Sequence, residues 1–389
     1  MTRIDQLHLS GKRVFIRVDF NVPLKDGSIT DATRIEAALS TIRYAREHGA
    51  KVILASHLGR PNGKSNPALT LAPAADTLAK LLGAPVPLAG DCVGAAVEAQ
   101  VNALTNGSVL MLENLRFHPE EEQNDPAFSQ ALARLADVYI NDAFGTAHRA
   151  HASTAGMVRL VRERAAGFLL QKECAYLGKV LANPDRPLVA ILGGAKVSDK
   201  IQVIANLIDK VDTLLIGGGM AYTFLRAQGL PIGKSLLEAE HVKLATELLA
   251  KAKARGVGLL LPTDHVVATE PKVGVIATTA TEIPADKMAL DIGSETIASF
   301  RAVIATARMV VWNGPLGVFE IPPFNAGTLA IANALADSSA TTIVGGGDSV
   351  AAVMQSGRAK DITHISTGGG ASLEFLEGET LPGLAALED

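Results

Sequence analysis

Two kinds of segment follow the apolar runs of this chain, and each suits a different chemistry. In the first half these segments carry Arg, His, Asn and Asp: RVDFN (17–21), SHLGRP (56–61), ENLRFH (113–118) and NDAFGTAHRAHAS (141–153). In the second half they are rich in glycine: GGAKVSDK (193–200), GGGM (217–220), WNGPLGVFE (312–320), GGGDS (345–349) and TGGGAS (367–372). Arg17, Arg34, Arg60, Arg116 and Arg149 mark the first set. Guanidiniums aimed at one place repel each other unless a polyanion lies between them, and each can pair bidentately with carboxylate or phosphate. The chemistry implied is recognition of a small, multiply charged anion. His57, inside SHLGR, is the histidine placed closest to that task, whereas His118, His148 and His151 read as structural.

Glycine does something else. A strand that breaks into two or three glycines lets the backbone pass close to a ligand with its amides free to donate. A helix starting directly afterwards adds its first-turn amides and the positive end of its dipole. Gly345–Ser349 before VAAVMQSG and Thr367–Ser372 before LEFLEG have that form. Any one triplet serves equally well as a tight turn. Four such clusters in one half point to a phosphate chain.

These segments need a scaffold that brings strand ends together. Runs at 14–18, 51–56, 109–112, 137–140, 188–192, 213–216, 258–261, 308–312, 341–344 and 363–367 are continuously apolar, as strands covered on both faces are. Helical patterns at 32–49, 70–83, 238–256 and 327–337 alternate with them, which predicts an α/β fold with mainly parallel sheets. In such sheets ligands bind beyond the carboxyl ends of the strands. The stretch LLQKECAYLGKVLANPDRP (169–187) has one apolar face and closes on Asn183-Pro184 and Pro187, so it reads as a helix connecting two domains. A length of 389 residues also favours two cores.

Composition narrows the function. The net charge of −4 argues against a nucleic-acid partner. The balance is +2 over residues 1–180 and −6 over 181–389, with 13 of the 19 arginines and six of the nine histidines in the first part. Two cysteines, Cys92 and Cys174, suit a reducing compartment, and no stretch approaches a membrane span or a secretion signal, so a cytoplasmic protein is expected. Standard signatures fail. The segments 59–65 (GRPNGKS) and 229–235 (GLPIGKS) are each one residue short of a P-loop, and no G-x-G-x-x-G, H-R-D, D-F-G, H-E-x-x-H or G-x-S-x-G occurs.

Taken together, RVDFNVPL, SHLGRP, ENLRFHPEEE, NDAFGTAHRAHAS, LGGAKVSDKI, GGGMAYTFL, WNGPLGVFE, GGGDSVAA and STGGGASLEFLEG resemble the phosphoglycerate kinase family, in order and over almost the whole chain. The resemblance implies two Rossmann-like parallel-sheet domains joined by a hinge helix, with an open cleft between them. The expected division is a triose-phosphate domain at 1–168, the hinge helix at 169–187, a nucleotide domain at 188–370, and a terminal segment at 371–389 packing back toward the junction.

It also implies roles. Asp19, Phe20, Asn21, Arg34, His57, Leu58, Gly59, Arg60, Arg116 and Arg149 bind 3-phosphoglycerate or 1,3-bisphosphoglycerate. Lys200, Asn313, Glu320, Gly346, Gly347, Asp348 and Ser349 bind ATP or ADP, with Glu320 on the ribose and Asp348 reaching Mg²⁺. Arg34, Lys196, Gly369 and Gly370 hold the phosphoryl group in flight. A monomer acting on small molecules is expected. Ser349 stands where a Thr is common, and Ile321-Pro322-Pro323 is an unusual filling after Glu320; neither removes a charge, hydroxyl or glycine from the motif. The chemistry agrees, because phosphoryl transfer rests on positioning and charge stabilisation. An acceptor carboxylate, already ionised, needs no general base. Two other readings remain: an NAD(P)-dependent oxidoreductase, and a non-catalytic two-domain anion-binding protein.

Overall fold

The structure, a computed structural model, describes residues 1–388. The chain divides into two compact units, one of residues 1–175 with the C-terminal stretch from Thr380, the other of residues 176–379.

In the first unit an all-parallel sheet runs in the order Val109–Met111, Lys51–Ala55, Arg13–Arg17, Val138–Asn141, Glu163–Ala166. Its strands are apolar on both faces because both are covered: Phe15, Ile16, Val52, Leu54 and Ile140 are fully buried. Truncating such a side chain to Ala costs about 2–5 kcal/mol. Thr33–Glu47 and Ala72–Leu82 cover one face, contributing Ile35, Ala38, Ile42 and Leu78 to the core. The sheet register pairs Arg17 with both Ala55 and Asn141, so three of the polar loops leave the sheet at one level.

The second unit holds a six-stranded parallel sheet in the order Gly258–Leu260, Thr213–Ile216, Leu188–Leu192, Met309–Asn313, Thr341–Gly345, His364–Ile365. Its core centres on Ile191, Leu215, Val310 and Trp312. The α/β class with parallel-sheet cores is therefore as expected, and all ten apolar runs are strands.

Some elements escaped the sequence reading. A three-stranded antiparallel sheet, Thr278–Ala280, His265–Ala268 and Met288–Ile292, has a small core of its own around Tyr222, Val267 and Ile283. The edge strand Glu163–Ala166 and the hairpin of Leu24–Lys25 and Ser28–Ile29 were also missed. These strands are short or poor in β-branched residues, and neighbours rather than propensity hold them.

The connecting helix spans Phe168–Ala182, and the division between the units falls within it, after Ala175. Asp142 Oδ1 accepts the Leu169 and Leu170 amides at 2.9 and 3.2 Å, satisfying two first-turn donors. Near the C-terminus, Gly370–Leu376 belongs to the second unit, where Asn206 Nδ2 donates to Leu376 O at 2.6 Å. Pro382–Glu388 belongs to the first, held by the Gly383 amide on Ala147 O at 2.8 Å. The last residue of the 371–389 segment, Asp389, lies outside the described residues.

Candidate active site

In the first unit, loops remote in sequence are tied together at the carboxyl ends of the strands. Asp19 Oδ2 accepts from Arg34 Nη1 at 2.8 Å. The Phe20 amide donates to Ser56 Oγ at 2.8 Å, and Asn21 Oδ1 accepts the Gly59 amide at 2.9 Å. Asn114 Oδ1 accepts the amides of Leu58 and Arg116, at 3.2 and 3.1 Å, while its Nδ2 donates to Leu58 O and Leu69 O. Arg116 Nη1 closes the circle on Gly59 O at 3.0 Å. Gly59 has φ +63, and a Cβ there would stand 2.8 Å from Leu69. Only glycine fits without displacing that side chain.

The arginines converge on His57, which is buried. Burial pulls the imidazole well below its ordinary pKa, and the charges of Arg17, Arg116, Arg34 and Arg149 push it further down. Arg116 is itself brought down to about 10, chiefly by burial. The counter-charges are fewer than the arginines: Asp19 for Arg34, Glu122 3.4 Å from Arg116 Nε, and the buried Glu121, whose charge acts on Arg17 and Arg116. Arg149 Nε donates to His148 Nε2 at 3.2 Å. Arg60 is exposed and shares in none of these bonds. Arg17, singled out in the sequence only as one of five arginines, is 1% exposed and reaches His57 directly.

The second unit's strand ends form a different site. Lys200 Nζ donates to Asn313 Oδ1 where Met309–Asn313 ends. Burial brings the Lys200 ammonium down to about 8, partly opposed by Asp199, Asp348 and Glu377. Asn313 Nδ2 is buried without a partner, and Gly346, at φ +87, is so close that its Cβ would stand 3.0 Å from that nitrogen. The Gly314 amide donates to Ser349 Oγ at 2.6 Å, so the serine hydroxyl ties the turn after Met309–Asn313 to the helix Gly347–Gln355. Gly347 and Asp348 open the helix Gly347–Gln355, leaving first-turn amides toward solvent. Ser372, in the first turn of the helix Gly370–Leu376, lies against Gly345 and bonds Ser366 at 2.7 Å, which ties the start of that helix, Gly370 and the Gly369 before it, to the end of Thr341–Gly345. Lys196 is exposed in the loop after Leu188–Leu192.

A cavity of about 300 Å³ opens beside these groups. Glu320 and Asp348, both exposed carboxylates, line it together with the glycines at 194, 218 and 219. Its apolar wall includes Tyr222, Leu236, Leu290 and Val318, none of which the sequence singled out. The signal available was the GGGMAYTF segment, whose tyrosine looks like any core aromatic until the fold places it. Gly218 and Gly219 are steric necessities: a Cβ on Gly218 would sit 2.6 Å from Gly194 O, and one on Gly219 2.8 Å from Ala195 O.

Asp348 suits a hard cation. Mg²⁺ is usually held by one or two carboxylates, with phosphate oxygens and waters completing its shell, and a single exposed carboxylate beside free helix amides fits that pattern. Among the described residues, two groups gather metal-capable atoms within 4.8 Å, Asp91–Cys92–His118 and Glu238–Glu240–His241, and neither contains Asp348. No described helix is long and apolar enough to cross a membrane.

A family model described as "Phosphoglycerate kinase" matches residues 4–379. The chain is 60% identical to the phosphoglycerate kinase of Anaeromyxobacter dehalogenans over 391 residues, 99% of each chain. It is also 60% identical to that of Moorella thermoacetica over 390 residues, 99% of this chain and 98% of the relative. Among solved structures it resembles phosphoglycerate kinase from Coxiella burnetii, with a TM-score of 0.90 at 44% identity over 99% and 98% of the two chains. The structure from Pyrococcus horikoshii OT3 gives 0.87 at 36% identity, over 100% and 98%.

Proposed function

The chain belongs to the phosphoglycerate kinase family, and from that premise we propose how its residues divide the work. The reaction is reversible phosphoryl transfer between 1,3-bisphosphoglycerate and ADP, giving 3-phosphoglycerate and ATP. The oxidoreductase and non-catalytic binding alternatives find no support in either comparison.

Asp19, Asn21, Arg34, His57, Arg60, Arg116 and Arg149 bind the triose acid, with the backbone of Phe20, Leu58 and Gly59 shaping the site. The observation that carries this reading is the gathering of four arginines around one buried, uncharged histidine, with fewer counter-charges than arginines. Such a cluster is balanced by a ligand bearing both carboxylate and phosphate. The triose anion supplies them.

Lys200, Asn313, Glu320 and Gly346–Ser349 bind the nucleotide. The cavity supports this: its apolar wall suits a base, Glu320 a pair of ribose hydroxyls, and the glycine turn a phosphate chain. Asp348 holds Mg²⁺, which when bound neutralises charge on the nucleotide phosphates. Arg34, Lys196 and the amides of Gly369 and Gly370 hold the phosphoryl group in transfer. Transfer of the phosphoryl group requires that water be kept from it while it is held. One chain carries both sites, so we read the enzyme as a monomer; its two free cysteines suit the cytoplasm. An assay coupling 3-phosphoglycerate, ATP and Mg²⁺ to product formation tests the whole reading, and absence of turnover would overturn it.

A further inference from the structure

Behind the arginine cluster lies a buried polar chain that phosphoryl transfer does not directly require. Arg17 Nε donates to Ser153 Oγ at 2.8 Å. The Ser153 hydroxyl in turn donates to Glu121 Oε1 at 2.5 Å, and the Ser153 amide to Glu121 Oε2 at 2.9 Å. At its other end Arg17 Nη2 meets His57 Nδ1 at 3.2 Å, while Nη1 donates to Val18 O. Glu121, Ser153 and Arg17 are 0, 0 and 1% exposed. Tyr139 pins the segment further, donating its hydroxyl to Ser153 O at 2.9 Å.

The direction of every bond is forced. A guanidinium can only donate, so Ser153 Oγ and His57 Nδ1 must both accept from Arg17. With its oxygen accepting from Arg17, the Ser153 hydroxyl has its hydrogen left for Glu121. An imidazole whose Nδ1 accepts carries its proton on Nε2. We propose that Glu121 and Ser153 are positioning residues which, through Arg17, lock His57 in the Nε2–H tautomer and so present a hydrogen-bond donor to the substrate anion.

The arrangement explains why a buried carboxylate is present at all. Glu121 makes no ion pair with Arg17 within 4 Å; the serine hydroxyl stands between them. Burial raises the carboxyl above its ordinary pKa, and Arg17 and the two bonds from Ser153 draw it back down. Taking Glu121 away leaves the Ser153 hydroxyl free to rotate and Arg17 free to turn from His57. The imidazole could then adopt Nδ1–H, presenting an acceptor to an anion. A fully satisfied buried network holds one geometry, and a partly satisfied one does not.

The inference rests on the triose site proposed above, but its first readout does not depend on turnover. In full-length protein labelled with ¹⁵N-histidine, with the His57 resonance assigned by its loss in His57→Gln, wild type should show a bare Nδ1 and a protonated Nε2. Ser153→Ala and Glu121→Ala, which remove the hydroxyl or its acceptor, should mix the tautomers. They should also raise KM for 3-phosphoglycerate about tenfold, as loss of a charge-assisted bond does, with kcat and KM for MgATP nearly unchanged. Ser153→Thr, which keeps the hydroxyl, should restore both properties. A protonated Nδ1 in wild type overturns the proposal even if the variants fail to fold. So do variants that lose only thermal stability while the resonance and KM stay put. Absence of any turnover with a correct tautomer would instead count against the triose reading.

Discussion

Lys200, immediately before the helix Ile201–Leu207, donates its ammonium to Oδ1 of Asn313 at the end of the strand Met309–Asn313. Both side chains are buried, and the other end of the Asn313 amide has no partner. The pair is built around a cation brought down to about 8 by burial. In the free enzyme this lysine loses its charge as pH rises through that value, so binding a phosphate chain must then take up a proton. KM for MgATP should climb above about pH 8, approaching about tenfold per pH unit. Lys200→Arg, which stays protonated, should abolish the climb while binding less well throughout. A parallel climb in both proteins would sink the assignment.

Arg34 and Arg116 should fail in different ways. Arg34 is half-buried and paired with Asp19 alone, so its remaining donors are free for a ligand. Arg116 is 4% exposed and fixed to Gly59 O, a geometry suited to holding a ground state. Arg34→Ala should lower kcat by about 10³-fold, the scale of an arginine supplied to a phosphoryl transition state. Arg116→Ala should chiefly raise KM for 3-phosphoglycerate, by roughly 10- to 100-fold. Steady-state kinetics decide between this division and equal kcat losses in both variants.

Gly346→Ala tests the turn before Gly347–Gln355. The residue has φ +87, and its new methyl would stand 3.0 Å from Asn313 Nδ2. Strain of about 1–2 kcal/mol at such a φ, added to displacement of Asn313, should raise KM for MgATP about tenfold. KM for 3-phosphoglycerate should hold. Calorimetric titration with the nucleotide alone gives the same answer without turnover.

Asp142 predicts a pH dependence of stability. Burial pushes its carboxyl from the ordinary 3.8 up to about 7, despite bonds from Thr41 and the Leu169 and Leu170 amides. Between those values the folded protein binds more protons at this site than the unfolded chain does. The contribution of Asp142 to stability therefore falls as pH rises from about 4 to about 7 and is level beyond. Asp142→Asn keeps an amide-accepting oxygen and removes the titration. Its melting temperature should gain on wild type between pH 5 and pH 8; a constant offset at both would show the carboxyl does not titrate there.

Most of the sheet architecture was legible because a strand buried on both faces announces itself locally, as Lys51–Ala55 and Leu188–Leu192 do. Helix ends were legible for the same reason: Gly83 and Gly256 stop their helices at φ +63 and +70 after a basic last turn. Glu163–Ala166 was not, since two charged residues and two alanines become a strand only when Val138–Asn141 is there to pair with.

By itself the sequence determined which strand ends carry cations and which carry glycine, because residue type and spacing along one segment suffice for that. Only the tertiary structure decided that Arg17 turns inward to His57, that Ser153 and Glu121, 32 residues apart, meet behind it, and that Tyr222 and Val318 wall one cavity. Those partners belong to segments whose approach depends on how the whole core closes, and no local periodicity encodes it.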